Sequence, residues 1–273
     1  MLIRYGCELS IAVLHSTACY VLVDIHPDRR ADIAHEEPLA IVAVSVKPVR
    51  DALGNIMQRF LLPPGETTIA LSGVIHDCGL PDARDESAIA QPVVDLPPDA
   101  AMYLNGSRYC ETDKLSSLAW NTFGHMPRTT AMVEGICDFV HHRLVFDYQR
   151  ARSTRTALEA YEEGTGVCRD FTHLAVALCR CMNIPARYVN GYLGDIGVLP
   201  DPAAMDFNAW FEAYLGGQWF TFDPRHNRRR IGRLPIARGR DACDVPMIQT
   251  FGPHVLKTFK VVTELADGLS AAA

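Results

Sequence analysis

The stretch that decides the fold is 164–182, GTGVCRDFTHLAVALCRCM. Gly164 and Gly166 punctuate a loop. After them Phe171, Leu174, Ala175, Leu178 and Met182 recur at helical spacing, which predicts an amphipathic helix with one buried face. Cys168 stands three residues before Phe171, so it opens that face and points inward. A cysteine at a helix N-terminus meets N–H groups without intrahelical partners and the positive end of the dipole, both of which favour thiolate over thiol. The thiolate is the nucleophilic form, so Cys168 is a candidate for covalent catalysis. The plainer reading makes it a small buried hydrophobe.

Downstream, Asn183-Ile184-Pro185 ends the helix, because proline disfavours helix in the residue before it. Ala186 to Leu193 reads as a strand and Gly194 to Met205 as a loop. Phe207 to Leu215, a Gly216-Gly217 turn and Gln218 to Asp223 read as a hairpin. With that turn, opposed residues have numbers summing to 433, so Trp210 faces Asp223. Asn208 shares their face and is a diagonal neighbour of Asp223, roughly 7 Å away at the backbone. A thiol nucleophile wants a proton acceptor, and the acceptor wants an orienting group. For this hairpin to supply them, the face carrying Asn208 and Asp223 has to be the one packed on the Cys168 helix. From Arg225 to Asp244 the chain reads as polar and irregular, and a final strand is expected near Lys257 to Thr263.

Upstream, Met132, Ile136, Phe139 and Val140 predict a helix from Thr129 to about Phe146, and a short helix is expected from Thr156 to Glu162. His141 and His142 diverge by about 100° on the first of these and make a poor ligand pair. The piece from Tyr103 to Phe123 bridges to this helix, with Asp113 as a helix cap. Residues 81–100 carry prolines and acids with little periodicity and read as a linker. Before them, Leu2 to Val13, Ala18 to Ile25, Ile41 to Val49, Met57 to Leu62 and Thr67 to Ile75 read as strands. His15, His26, His35 and His76 read as surface or turn residues.

The segments GVCRDFTHLAVALCRCMNIPARYVNGY and FNAWFEAYLGGQWFTFDP resemble the transglutaminase-like superfamily of papain-like cysteine enzymes, over residues 130–225. The resemblance implies a triad: a cysteine at the helix start, a histidine on one strand and an aspartate on the next. Cys168 matches the cysteine and Asp223 the aspartate. Asn208 stands where histidine is usual, and neutral asparagine has no basic nitrogen to accept the thiol proton. Three accounts follow. His226 of the DPRHN loop moves in as base, although strand parity puts it on the opposite face unless Pro224 breaks that parity. Alternatively Cys168 reacts as a specialised thiol aided by the helix dipole. Or the site is degenerate and the fold serves as a binding or scaffold module. His173 is turned roughly 140° from Cys168 along the helix and is a poor substitute. Asp170 reads as a first-turn acid complementing the dipole. Trp210, Trp219, Phe220 and Phe222 read as core.

The expected fold is α+β: an N-terminal antiparallel β-rich, sandwich-like domain over residues 1–95, then a papain/transglutaminase-like core over 96–273. The expected function is a thiol enzyme acting on amide or peptide bonds, as peptidase, amidase or acyltransferase, through a Cys168 thioester. Its partner is then a peptide, protein or other amide substrate. Net charge is −6 and pI about 5.9, with no basic stripe, which argues against nucleic acid. The run Arg228-Arg229-Arg230 reads as a solvated loop rather than a phosphate site. No segment reads as membrane-spanning, and the first residues, MLIRYGCELS, alternate like a strand rather than a signal peptide. The nine cysteines are odd in number and scattered, fitting neither a disulfide framework nor a paired zinc motif. All but Cys168 read as packing residues. No cofactor or metal is expected, and the chain is placed in the reducing cytoplasm.

Overall fold

The computed structural model describes residues 1–41, 44–201 and 205–266. The chain begins with strands β1 (Leu2–Val13), β2 (Thr17–Val21), β3 (Ile33–Ile41), β4 (Lys47–Arg50), β5 (Ile56–Leu62) and β6 (Gly65–His76). A single turn α1 (Pro98–Ala101) leads to helices α2 (Thr112–Phe123) and α3 (Thr130–Arg143), then β7 (Val145–Phe146), α4 (Ala157–Glu163) and β8 (Thr165–Gly166). Helix α5 (Cys168–Cys181) precedes β9 (Ala186–Tyr192), β10 (Asn208–Leu215), β11 (Gln218–Phe222), β12 (Leu234–Gly239), β13 (Ile248–Thr250) and β14 (His254–Leu265). The expected strand from Ile41 to Val49 is in fact the end of β3 and the start of β4; residues 42–43 between them lie outside the described residues. Asp113 is not the cap of α2, whose N-cap position is Glu111.

Three four-stranded sheets organise these elements, ordered β14-β1-β6-β3, β13-β2-β5-β4 and β11-β10-β9-β12. The first two form the N-terminal β layers, and both recruit a strand from the C-terminal end of the chain. β14 pairs with β1 from Ile3↔Leu265 to Val13↔His254, and β13 pairs with β2. A division of the chain at residue 95 therefore follows sequence but not sheet membership. One buried cluster also joins Ile3, Tyr5 and Leu9 of β1 to Tyr188 and Tyr192 of β9 and Ile236 of β12. The Tyr192 hydroxyl donates to the Val23 carbonyl at 2.9 Å across this seam. The proline-rich stretch is pinned at several points. Arg84 donates to Glu134 at 3.1 Å and to the Thr221 carbonyl at 3.0 Å, and the Ala90 N–H donates to the Arg128 carbonyl at 2.8 Å.

The third sheet carries the helices. Phe211, Ala213 and Leu215 alternate onto one face of β10 and join Phe171, Leu174, Ala175 and Leu178 of α5 in the helical core. The sequence pattern predicts one buried face for α5, but every residue from Asp170 to Cys181 is buried. Helices α2, α3 and α4 enclose the sides that the sheet does not. Arg180, 2% exposed, fits this interior because its guanidinium finds acceptors on Ala186, Asn105, Ser107 and Arg240. Asn183 ends the helix in a left-handed conformation, φ 59°. The strand β12 lies where irregular chain is expected. It sits at a sheet edge, where Pro235 loses no ladder bond, and a register shift between Pro235 and Ala237 hides its alternation.

Candidate active site

Helix α5 begins at Cys168 because the loop before it is tightly tied. A side chain on Gly166 would strike Asp170 at 2.6 Å, so only glycine lets that carboxylate fold back. Asp170 accepts from the Val167 N–H at 3.0 Å and from Arg155 at 3.0 Å, and its side chain is fully buried. It serves the helix start rather than a substrate.

The Cys168 residue retains partial exposure. Burial pushes its thiol up to about 11, and Asp206 adds to the rise, while Arg225 and the Ala209 N–H pull the other way. The expected thiolate at the helix start is therefore not the resting form. The desolvation of the sulfur outweighs what the helix terminus offers.

The hairpin register is as expected. Phe211 faces Phe222 and Leu215 faces Gln218, so the opposed numbers sum to 433. The face does not match. Trp210 and Glu212 turn away from α5, and Asn208 shares their parity on the strand, whereas Phe211, Ala213 and Phe222 contact the helical core. Asn208 also does not reach Asp223. Its side-chain amide donates instead to the carbonyls of Asp206 at 3.2 Å and Leu193 at 3.4 Å.

His226 reaches Asp223. Pro224 ends strand pairing, and the turn that follows brings the Asn227 N–H to the Asp223 carbonyl at 2.8 Å. The His226 backbone N–H donates to Asp223 Oδ1 at 3.0 Å, and His226 Nδ1 lies 2.7 Å from Asp223 Oδ2. Arg233 Nη2 donates to the same carboxylate oxygen at 2.8 Å. Burial alone raises the Asp223 carboxyl, but Arg233 and His226 more than reverse this and hold it well below the usual carboxylate range. An ionised carboxylate facing Nδ1 places the imidazole proton there, so Nε2 is the acceptor nitrogen. In this structure Nε2 accepts from Arg225 Nη1 at 2.9 Å.

A cleft opens beside these groups, lined by Tyr148, Asp206, Asn208, Arg225 and His226 among others. Asp206, Arg225 and Asp223 are also the charges that act on the Cys168 sulfur. Arg225 links the two parts: its guanidinium lies 4.0 Å over the Phe146 ring, contacts His226 and bears on Cys168. Asp206 is itself raised, chiefly by burial. Neither Arg225 nor Asp206 stands out in the sequence beyond its proximity to DPRHN or to Asn208. Arg233 was hidden in the segment read as irregular.

His173 is remote from this chemistry. It stacks on Tyr109 with ring centroids 5.0 Å apart, and its Nε2 accepts from the Ala242 N–H at 3.1 Å. Burial holds it well below its ordinary value, hence neutral. His26, read as a surface or turn residue, is buried and caps a short 3-10 turn by accepting from the Asp28 N–H. Cys78 and Cys243 are exposed, contrary to the packing role expected of them. Among the described residues no helix is long and apolar enough to cross a membrane.

Residues 117–224 match the family model of the transglutaminase-like superfamily. A solved structure of a proposed cysteine protease from Cytophaga hutchinsonii is 28% identical, covers 98% of this chain and 91% of its own, and superposes with a TM-score of 0.84. An uncharacterized protein of Mycobacterium leprae is 36% identical over 114 residues, and one of Mycobacterium bovis is 32% identical over 97. These matches span 40% and 30% of the respective relatives. The helix, hairpin and carboxylate described above fall within or at the edge of the matched segment, and the chain therefore carries a transglutaminase-like core.

Proposed function

We propose that the protein is a thiol enzyme acting on amide or peptide bonds, with Cys168 as nucleophile and His226, held by Asp223, as the base that Asn208 cannot be. The observation that carries this reading is the 2.7 Å contact between His226 Nδ1 and the buried Asp223 carboxylate, which leaves Nε2 as the basic nitrogen. The thiol rests protonated, so deprotonation accompanies attack rather than preceding it. In that step Arg225 leaves Nε2, the sulfur bonds to the substrate carbonyl carbon, and Nε2 takes the thiol proton. The tetrahedral intermediate collapses to a Cys168 thioester as the amine departs with that proton, and water or a second amine then releases the acyl group. Resemblance to the Cytophaga protein supports the substrate class. The nine free cysteines support a reducing compartment, for which we propose the cytoplasm.

A second reading, a binding module on the same fold, is favoured by the elevated Cys168 thiol and by Arg225 on Nε2. Intact-mass analysis after exposure to p-nitrophenyl acetate separates the two. The enzyme reading expects a single acetyl adduct on Cys168, absent in Cys168→Ala. No adduct on the native chain would leave the binding module standing.

A further inference from the structure

The cleft beside His226 is lined by two arginines and three acids: Arg225, Arg230, Asp195, Asp201 and Asp206. Arg230, read from sequence as part of a solvated run, is 3% exposed and lies 3.6 Å from Asp195. Arg225 lies 4.0 Å from Asp201 and gives Nη1 to His226. Asp206 is the acid left over. Its Oδ1 accepts from the Phe207 N–H at 2.6 Å, and its carbonyl accepts from the Asn208 amide at 3.2 Å. These bonds fasten it to the start of β10 and leave its second carboxylate oxygen to the cleft. Among the described residues no cation comes within 4.0 Å of that carboxylate; Arg225 bears on it from farther away.

Tyr148 lines the same cleft, is 45% exposed, and is held edge-on to Phe146 with ring centroids 4.8 Å apart. Of all the charges around the Cys168 sulfur, Asp206 acts on it most, and Asp206 and Cys168 both act on Tyr148. Carboxylate, aromatic ring and sulfur therefore border one volume. A carboxylate drawn partly out of water without a cation is costly to keep ionised. A substrate ammonium supplies the missing charge, and an aromatic wall suits such a cation.

We propose that Asp206 and Tyr148 form the acyl subsite of Cys168 and select acyl groups that carry an ammonium close to the reacting carbonyl. The inference rests on the thiol-enzyme reading and names its substrate class. The acyl side is assigned because in the thioester the atoms nearest the sulfur are those of the acyl group. Binding also aids reaction. An ammonium on Asp206 cancels the charge that raises the thiol, so the sulfur becomes easier to deprotonate when the right substrate is in place.

The test is single-turnover acylation of Cys168 in the full chain by p-nitrophenyl β-alaninate and by its neutral isostere p-nitrophenyl butyrate. Each rate is divided by that of the free thiol N-acetylcysteamine. The corrected β-alanyl to butyryl ratio should be about ten, the effect of one charge-assisted hydrogen bond, and should fall to about one in Asp206→Asn. The ratio is the readout because the same carboxylate raises the thiol, so butyryl transfer alone should quicken in the variant. A native ratio of about one overturns the subsite, and a ratio that survives Asp206→Asn overturns Asp206 as its anion. Cys168→Ala separates this failure from failure of the thiol enzyme. In an NMR titration that variant should bind β-alaninamide about tenfold more tightly than butyramide. Equal affinities, or no β-alaninamide binding, overturn the subsite whether or not the native chain is acylated.

Discussion

Replacing Asp223 with asparagine probes the anchor of the candidate site. The Asp223 side chain is 1% exposed and accepts from Arg233 Nη2 at 2.8 Å, His226 Nδ1 at 2.7 Å and the His226 N–H at 3.0 Å. Asparagine keeps the shape but removes the charge and turns one acceptor into a donor, so an N–H faces another N–H. Breaking a buried ion pair destabilises by roughly 3–5 kcal/mol. Arg233 keeps its second partner, Asp82, at 3.0 Å, which argues for the lower end of that range. We expect a loss of about 3 kcal/mol in urea denaturation and a fall in Tm of about 6 °C for a chain of this length. Nitrogen-15 NMR should show the His226 proton shifting from Nδ1 toward Nε2. Pairing the change with Arg233→Met should cost less than the sum of the single losses, because the stranded guanidinium is gone. The native contribution of Asp223 is complete above the unfolded carboxyl pKa of about 4 and is lost as pH falls below it, since the folded value lies lower. A loss under about 0.5 kcal/mol with an unchanged His226 tautomer would refute the reasoning.

Other perturbations test other parts of the account. Asn208→His adds a second imidazole to the cleft that His226 already lines; because His226 supplies the base, amide or ester turnover should stay within about threefold of native, and a hundredfold gain in a steady-state assay would mean that His226 is not the base. Asp206→Asn removes a charge that raises the Cys168 thiol, so iodoacetamide labelling at pH 8 should quicken by roughly three- to tenfold, and an unchanged rate would place that carboxylate too far away. His173→Gln removes a buried neutral imidazole. Because the folded pKa lies below the unfolded value near 6.5, native His173 loses stability as pH falls through that value. The stability advantage of the native chain over the variant should then shrink by about 1.4 kcal/mol per pH unit below pH 6, as read by urea titrations across pH, and a constant advantage would show that His173 titrates freely.

The parts of this molecule legible in sequence are those fixed by local rules. Gly216 and Gly217, at φ 56° and 85°, are the residues that a two-residue hairpin turn requires, and they set the β10–β11 register correctly. The apolar spacing from Phe171 onward located α5. What local rules cannot supply is which face of the hairpin meets the helix. Asn208, Trp210 and Glu212 look as inward as Phe211 and Ala213, because both faces of this central sheet are covered. The Cys168 thiol misled for a related reason: the helix terminus is a local feature, while the burial that raises the thiol comes from elements distant in sequence. His226 was visible as a candidate, but its route to Asp223 depends on the turn after Pro224, which strand parity does not describe. β12, β13 and β14 pair with strands far away in the chain, and no pattern inside them names those partners.

The most direct test of the central claim is the pH profile of single-turnover acetylation of Cys168 by p-nitrophenyl acetate, followed by p-nitrophenol release in the native chain and in His226→Gln. If His226 takes the thiol proton, the native chain is acetylated about a hundredfold faster than the variant at pH 7, and the two rates converge only as pH climbs toward the thiol value. Superimposable profiles, each climbing only toward the thiol value of about 11, would contradict it.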